Sequence, residues 1–543
     1  MTTSKSTLGG DGSSPASTTT ARPAGGGNYN LASLLEGTAA EHPDRDAIVL
    51  GEARLSYAGA DSLANKVANL LVSRGIKRGD KVAISCPNVP SFTIVYYGIL
   101  KAGATVVPLN VLLKAPEVAY HLGDSDAVAY FCFEGTPELP MAREGHVAFG
   151  EVDTCEHFFV VTADPASDSP LGGTETLSQA MAGQPDDFTT VETNEEDTAV
   201  ILYTSGTTGQ PKGAELRHRN MRDNALLGEA VFGASPAHPD RLLCVLPLFH
   251  SFGQTVIQNQ AFAYGGTVVM LPRFEPSAAL QLMLKEQITF FAGVPTMFWG
   301  LLGALDDTVD VERINANLRI AISGGSALPV EVHKDFKSRF GVTIVEGYGL
   351  SETSPVASFS TYGEPPRVGS IGVPVPGVEM RLLQPDSWAN AADGEIGEIA
   401  IKGHNVMKGY YHRAAATTEV IEDGWFRSGD LARRDEDGWY YIVDRSKDMV
   451  IRGGFNVYPR EIEEVLLTHE AVSLAAVIGV PHPRLGEEIK AFVILHDGAR
   501  VTPDQIVEWS KDRLAAYKYP RIVEVVANLP MTATGKILKR ELS

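Results

Sequence analysis

Between 202 and 213 the chain reads LYTSGTTGQPKG, where three threonines, a serine and two glycines precede one lysine. Such a stretch can cradle phosphate. Gly206, Gly209 and Gly213 let backbone N–H groups converge on an anion, the hydroxyls of Thr204, Ser205, Thr207 and Thr208 add neutral donors, and Lys212 adds a positive charge. A Walker loop, G-x-x-x-x-G-K-[ST], is excluded by the count. From Gly206, Pro211 stands where the second glycine belongs and Gly213 where the metal-binding hydroxyl belongs. Taken alone, the run also fits a polar surface turn after a buried strand at 198–203.

A second cluster, EGYGLSETSP, occupies 346–355 directly after an apolar run at 342–345. Gly347 and Gly349 flank Tyr348 and would let its ring lie flat on a planar base, while Glu352 is placed to hold a hard cation beside phosphate oxygens. It is not a dinucleotide fingerprint, because the third glycine of G-x-G-x-x-G would fall at Glu352. A turn carrying a core tyrosine is the plain alternative. Third, WFRSGDLARRDEDGWYYIVDR at 425–445 sets Asp430 after a glycine and Arg445 at a strand end. A carboxylate there can accept both ribose hydroxyls and a guanidinium can face phosphate, although the two residues equally suit a surface ion pair. Fourth, LPMTATGKILKREL at 529–542 holds Lys536 in a Thr-Gly turn, where an ordinary solvated lysine is the alternative.

These residues need a scaffold that gathers four distant segments. Apolar runs at 81–86, 104–109, 242–246, 266–271, 289–293, 318–323 and 342–346 alternate with helical periods such as 91–102 and 278–286, the pattern of an α/β fold. The stretch 134–197 is more acidic and less periodic and reads as a decorated surface region. From 394 onward, short strands with Asp-Gly turns, expected at 397–402, 424–426 and 434–443 with a break at Asp437-Gly438, predict a small β subdomain. Beyond 444 comes a compact α+β module whose helix begins at Pro459 and runs to 467. A chain of 543 residues exceeds what one core supports. The expected division is a disordered tail at 1–27, rich in Ser, Thr, Gly and Pro, a large N-terminal domain of α/β subdomains plus the β subdomain at 28–445, and a small mobile α+β domain at 446–543.

The balance of 46 basic against 67 acidic residues, a net charge of -21, argues against nucleic acid as a partner. Any anionic substrate must meet a local positive patch. Cys86, Cys132, Cys155 and Cys244 follow no metal-type or redox-type spacing and read as reduced, buried thiols of a cytoplasmic protein. No apolar run is long enough to span a bilayer, so any membrane contact would be peripheral.

In this order and at these separations, the four motifs resemble the adenylate-forming superfamily of acyl-CoA synthetases, luciferases and non-ribosomal adenylation domains. The resemblance covers essentially 28–542 and is strongest to bacterial fatty acid–CoA ligases. It implies a carboxylic acid, ATP, Mg²⁺ and coenzyme A, with adenylation followed by thioester formation once the small domain has rotated. Residue by residue, Thr204, Ser205, Gly206, Thr207, Thr208, Gly209 and Lys212 match the phosphate loop, and Tyr348 matches the adenine-stacking aromatic, with Gly324, Gly347, Gly349 and Thr353 around the nucleotide. Glu352 and Thr208 match the magnesium-linked pair, Asp430 the ribose acceptor, and Arg445 the ribose and phosphate arginine. Lys447 matches the hinge and Lys536 the adenylation lysine, while Gly453 and Gly454 match the segment that swings toward the pantetheine tunnel. Lys212 is thereby implied to attend the departing pyrophosphate and Lys536 the attacked α-phosphate.

The segment LPLFHSFGQ at 246–254 resembles the acyl-channel segment of fatty acyl and aryl ligases, with His250 near its gate and Phe252 and Gly253 beside it. Gly293, Val294, Pro295, Ser323, Gly325 and Val356 complete the implied acyl pocket. On the residues alone, His250 is equally a packed core histidine. The wall residues are apolar and no acid stands out to receive a substrate amine, which argues against amino-acid activation. A medium- or long-chain fatty acid is expected, with an aryl acid as the alternative. A fatty acyl-AMP ligase loading a carrier protein is a further alternative, disfavoured because no restraining insertion shows between Gly377 and Arg427. Two partners are left open, a second copy in a homodimer and a lysine acetyltransferase acting on an exposed Lys536.

Overall fold

The computed structural model describes residues 29–204, 210–385 and 387–543. The stretch 1–27, read above as a disordered tail, lies outside the described residues. The apolar runs become sheet strands. A nine-stranded sheet runs in the order Val373–Pro374, Val356–Phe359, Ile344–Gly349, Ile320–Ser323, Phe290–Gly293, Arg241–Cys244, Thr267–Met270, Asp46–Leu50, Ala53–Ser56. Its interior pairs are parallel and its two edges antiparallel. Interior strands such as Phe290–Gly293 and Ile320–Ser323 are buried along their whole length, so they read as continuous apolar runs rather than alternating ones.

The second sheet has eight strands, ordered Gly409–Tyr410, Lys212–Arg217, Thr198–Thr204, Thr105–Pro108, Lys81–Ser85, Ala127–Phe133, His157–Val161, Glu175–Thr176. The expected surface region at 134–197 is corrected here. It supplies the helix Met141–Phe149 and the last two strands of this sheet, and at five residues the strand His157–Val161 is too short to stand out as a period. Thr198–Thr204 and Lys212–Arg217 pair antiparallel, with Thr204 opposite Lys212. The strands on either side of the phosphate-loop motif are therefore antiparallel partners.

The expected β subdomain is a five-stranded antiparallel sheet built on Trp425–Arg434, which pairs with Gly397–Gly403, Ile421–Glu422 and Tyr440–Arg445. The short strand expected at 424–426 runs on as the ten-residue strand Trp425–Arg434, and a register shift between Leu431 and Ala432 interrupts its alternation. A turn, 446–448, separates this sheet from the last one, in which Val450–Arg452, Phe455–Val457, Val472–His482, Gly486–Leu495 and Ile522–Val525 pack against Pro459–Leu466 and Pro503–Lys511. This module has its own apolar core, including Val450, Ile462, Leu466, Val477, Ile489 and Ile506. All four cysteines are buried and free, and burial pushes the Cys132 and Cys155 thiols up to about 12. Among the described residues no helix is long and apolar enough to cross a membrane.

Candidate active site

Asp430 and Arg445 are register partners on adjacent antiparallel strands, which sets Arg445 Nε 3.0 Å from Asp430 Oδ1. Tyr348 arrives from the nine-stranded sheet and donates its hydroxyl to Asp430 Oδ2 at 2.7 Å. One carboxylate with 6% exposure thus ties an arginine that stays 48% exposed to an aromatic ring. Burial first, and then the Asp430 charge, holds the Tyr348 hydroxyl well above its ordinary pKa, so it remains a donor. The flanking glycines answer to the neighbouring strand rather than to a base. A Cβ on Gly347 would stand 2.5 Å from the Phe359 ring, and one on Gly349 would stand 1.6 Å from the Pro355 carbonyl oxygen.

Glu352 sits in the short turn Ser351–Thr353 with 8% exposure. Its Oε1 accepts from Thr204 Oγ1 at 3.2 Å and from the Tyr410 hydroxyl at 3.0 Å, while Oε2 makes no hydrogen bond among the described residues. Lys212 Nζ lies 5.2 Å from the centroid of the Tyr410 ring. The first and second motifs therefore meet, through the Thr204 end of the loop. Ser205, Gly206, Thr207, Thr208 and Gly209 lie outside the described residues. Thr353 turns inward, its buried hydroxyl bonded to the Leu350 and Pro355 carbonyls rather than aimed at a nucleotide.

Lys536 joins this group from the far end of the sequence. Its turn is closed by the Thr532 N–H donating to the Lys536 carbonyl at 2.7 Å and is fastened to the large domain by Thr296 Oγ1 donating to the Gly535 carbonyl at 2.8 Å. The side chain lies across Gly325, with Cε only 3.1 Å from where a Cβ would stand. The exposed lysine expected from the sequence is thus replaced by one packed into the site. Burial, and next the positive charge of Arg445, lower it to about 8, against the opposing charges of Asp430 and Glu352.

Lys536 lines a narrow cavity with Leu246, Pro247, Phe252, Val294 and Gly325, and His250 and Gly253 border it. Burial first, and then the Lys536 charge, bring His250 down to about 3, so it is a neutral imidazole. Gly324 leaves room for Phe252, whose ring would stand 3.1 Å from an added Cβ, and Gly253 is pressed on the Pro247 carbonyl in the same way. From Gly253 to Asn259 the backbone is π-wound, a form found often at functional sites. Val294 and Pro295 open the helix Pro295–Gly303, and Gly293 precedes them at a strand end. Ser323 is buried at the end of its strand with a hydroxyl that has no partner among the described residues. Val356 is buried, its carbonyl accepting from Asn224 and Asn405.

Two elements stay apart from this group. Gly453 and Gly454, with φ of 59° and 85°, form the two-residue turn between Val450–Arg452 and Phe455–Val457, and Gly453 bonds to the Leu485 carbonyl of its own domain. Lys447 is exposed in the turn that separates the two sheets. Sequence reasoning missed Tyr410 and Thr296. Tyr410 stands 58 residues from its partner Glu352, and only the pairing of Gly409–Tyr410 with the strand that starts at Lys212 places it.

The arrangement sets a buried lysine near an arginine, two carboxylates and an aromatic ring. Residues 35–411 match the AMP-binding enzyme family model and residues 461–536 match the AMP-binding enzyme C-terminal domain. The chain belongs to the AMP-binding enzyme family, and it is an AMP-forming acyl-CoA ligase acting on a small carboxylic acid, ATP and CoA. It is 34% identical to a long-chain-fatty-acid–CoA ligase of Bacillus subtilis, covering 95% of this chain and 94% of the relative. It is 36% identical to a feruloyl-CoA synthase of Amycolatopsis, covering 95% and 99%. ATP-bound MatB from Rhodopseudomonas palustris has a similar structure, with a TM-score of 0.86 at 32% identity over 95% of this chain and 98% of that one. The same mixed α/β architecture of a large and a small domain is found there.

Proposed function

We propose that this ligase activates a medium- or long-chain fatty acid and transfers it to CoA. The observation that supports the reading is the narrow cavity beneath Lys536, whose walls are mostly apolar, with Thr534 and a neutral His250 among them and Lys536 as its one charged lining group among the described residues. The space holds only about 10 Å³, so its walls must part to admit an acyl chain; an alkyl chain between them gives up no hydrogen bond to water, whereas a second carboxylate or an amine would be stripped of water without a partner. A relative named feruloyl-CoA synthase supports an aryl acid as the second reading. Measuring CoA-dependent pyrophosphate release across saturated acids of rising length, benzoate, ferulate and malonate tests both. Highest kcat/KM for an acid of eight or more carbons supports the first reading, and preference for ferulate or benzoate supports the second.

In this reading the domain boundary falls at 445/446, with Lys447 as the hinge. Asp430 accepts the ribose hydroxyls, Tyr348 offers its face to adenine, and Arg445 reaches ribose and phosphate. The carboxylate of the acid attacks the α-phosphate, and because both are anions the added charge must be offset. Lys536 does this at the point of attack, and Lys212 with the loop hydroxyls does it for the leaving pyrophosphate. Glu352 offers a carboxylate oxygen beside the loop, a donor set that fits Mg²⁺ completed by substrate phosphates, with Thr208 as its companion. When bound, the ion would neutralise the pyrophosphate charge. Thioester formation then requires the Lys536 turn to leave and the Gly453-Gly454 turn to approach. An acetyltransferase acting on Lys536 would reach it only in that swung-out arrangement.

A further inference from the structure

Tyr410 touches both charged groups that flank the phosphate loop. Its strand, Gly409–Tyr410, pairs with Lys212–Arg217, with Tyr410 opposite Ala214. The Tyr411 N–H bonds to the Gly213 carbonyl at 2.8 Å, the Lys408 N–H to the Glu215 carbonyl at 2.9 Å, and the Tyr410 N–H to Thr417 Oγ1 at 2.9 Å. The ring is therefore fixed relative to Lys212. It carries the Lys212 ammonium, 5.2 Å from its centroid, and the Tyr410 hydroxyl donates to Glu352 at 3.0 Å. Lys212 forms no ion pair among the described residues, although the hydroxyl of the same tyrosine holds a carboxylate.

That arrangement has a chemical reason. An ammonium that must release pyrophosphate at each turnover needs a resting partner, and the nearby carboxylate is a poor one. A direct Lys212–Glu352 pair would have to be broken before the next phosphate could bind. A ring face attracts a cation more weakly and gives it up more readily. We propose that Tyr410 is a positioning residue that keeps Lys212 and Glu352 apart, its ring holding the ammonium between turnovers and its hydroxyl holding the carboxylate. This rests on the reading of Lys212 as the group that attends pyrophosphate.

The test is calorimetric titration of metal-free enzyme with inorganic pyrophosphate. Lys212→Ala is expected to weaken binding tenfold or more; if it binds as the wild type does, the reading of Lys212 falls, and the role of Tyr410 with it. Tyr410→Leu lets the charges collapse on each other and is expected to weaken binding about three- to tenfold, the range of a partly shielded ion pair. Tyr410→Phe keeps the ring and is expected to restore affinity to within twofold. The deciding variant is Tyr410→Leu combined with Glu352→Gln, which has no carboxylate to capture Lys212 and is expected to bind as tightly as Glu352→Gln alone. If Lys212→Ala loses binding while Tyr410→Leu does not, or if Glu352→Gln fails to rescue Tyr410→Leu, the proposal for Tyr410 is overturned and that for Lys212 stands.

Discussion

Gly325 and Lys536 fit together as groove and side chain. At φ +81° the glycine adopts a backbone that other residues resist, and the lysine Cε stands only 3.1 Å from where its Cβ would be. Gly325→Ala is expected to strain the native chain by about 1–3 kcal/mol and to lift Lys536 from its place. Adenylation, followed by pyrophosphate exchange, should fall at least about tenfold, toward the loss of about 100-fold or more for Lys536→Ala. Thioester formation from a supplied acyl adenylate should be spared in both variants. Equal loss of the two half-reactions would refute the division of labour assigned to Lys536.

The charge on Lys536 should be visible as a pH limb. Adenylation uses the ammonium, and in the free enzyme burial brings its pKa down to about 8. The kcat/KM for ATP, which reports the free enzyme, should be highest below that value and fall as pH rises through it. Bound phosphate favours the charged form, so kcat at saturating ATP should break at higher pH. Lys536→Arg stays charged and should lack the limb. His250, held to about 3, should give an imidazole proton resonance that does not titrate between pH 5 and 8.

Asp430 supports two partners at once, so its loss should act on nucleotide binding more than on chemistry. Asp430→Asn keeps the shape but removes the charge facing Arg445 and the strong acceptor for Tyr348. Hydrogen bonds to charged groups contribute about 1.5–3 kcal/mol. The KM for ATP should rise roughly tenfold to a hundredfold with a smaller change in kcat. A pure fall in kcat would contradict a ribose-binding role.

If the Lys536 turn leaves the site between half-reactions as proposed, the bond from Thr296 to the Gly535 carbonyl should favour its docked arrangement. Thr296→Val removes about 1 kcal/mol, or a factor near five in population. Adenylation should slow by up to that factor while the rate of thioester formation from supplied adenylate does not fall. Slowing of both would show that Thr296 serves the fold alone.

Much of this site could be read from the chain because its parts sit in short, compositionally odd runs at strand ends. Lys212, Tyr348, Glu352, Asp430, Arg445 and Lys536 each stand in such a run, and the structure brings them near one another. What escaped depends on contacts between distant segments. Tyr410 is an unremarked residue until a two-residue strand pairs it beside Lys212. Gly347 and Gly349 were read as room for a base, yet they are required by the backbone and ring of the adjoining antiparallel strand. The strands His157–Val161 and Glu175–Thr176 were hidden by their brevity and by acidic neighbours.

The burial of all four cysteines bears on a hazard particular to this chemistry. The second substrate is itself a thiol, and an accessible protein thiol would form mixed disulfides with it whenever conditions turned oxidising. Cys86, Cys132, Cys155 and Cys244 present no such sulfur at the surface, and their raised pKa leaves almost no thiolate to react. The same silence makes the chain a clean background for maleimide probes. A single cysteine introduced on each side of the exposed turn at Lys447 would carry the only reactive labels, and a change in the distance between them during turnover would test the swing proposed for the small domain.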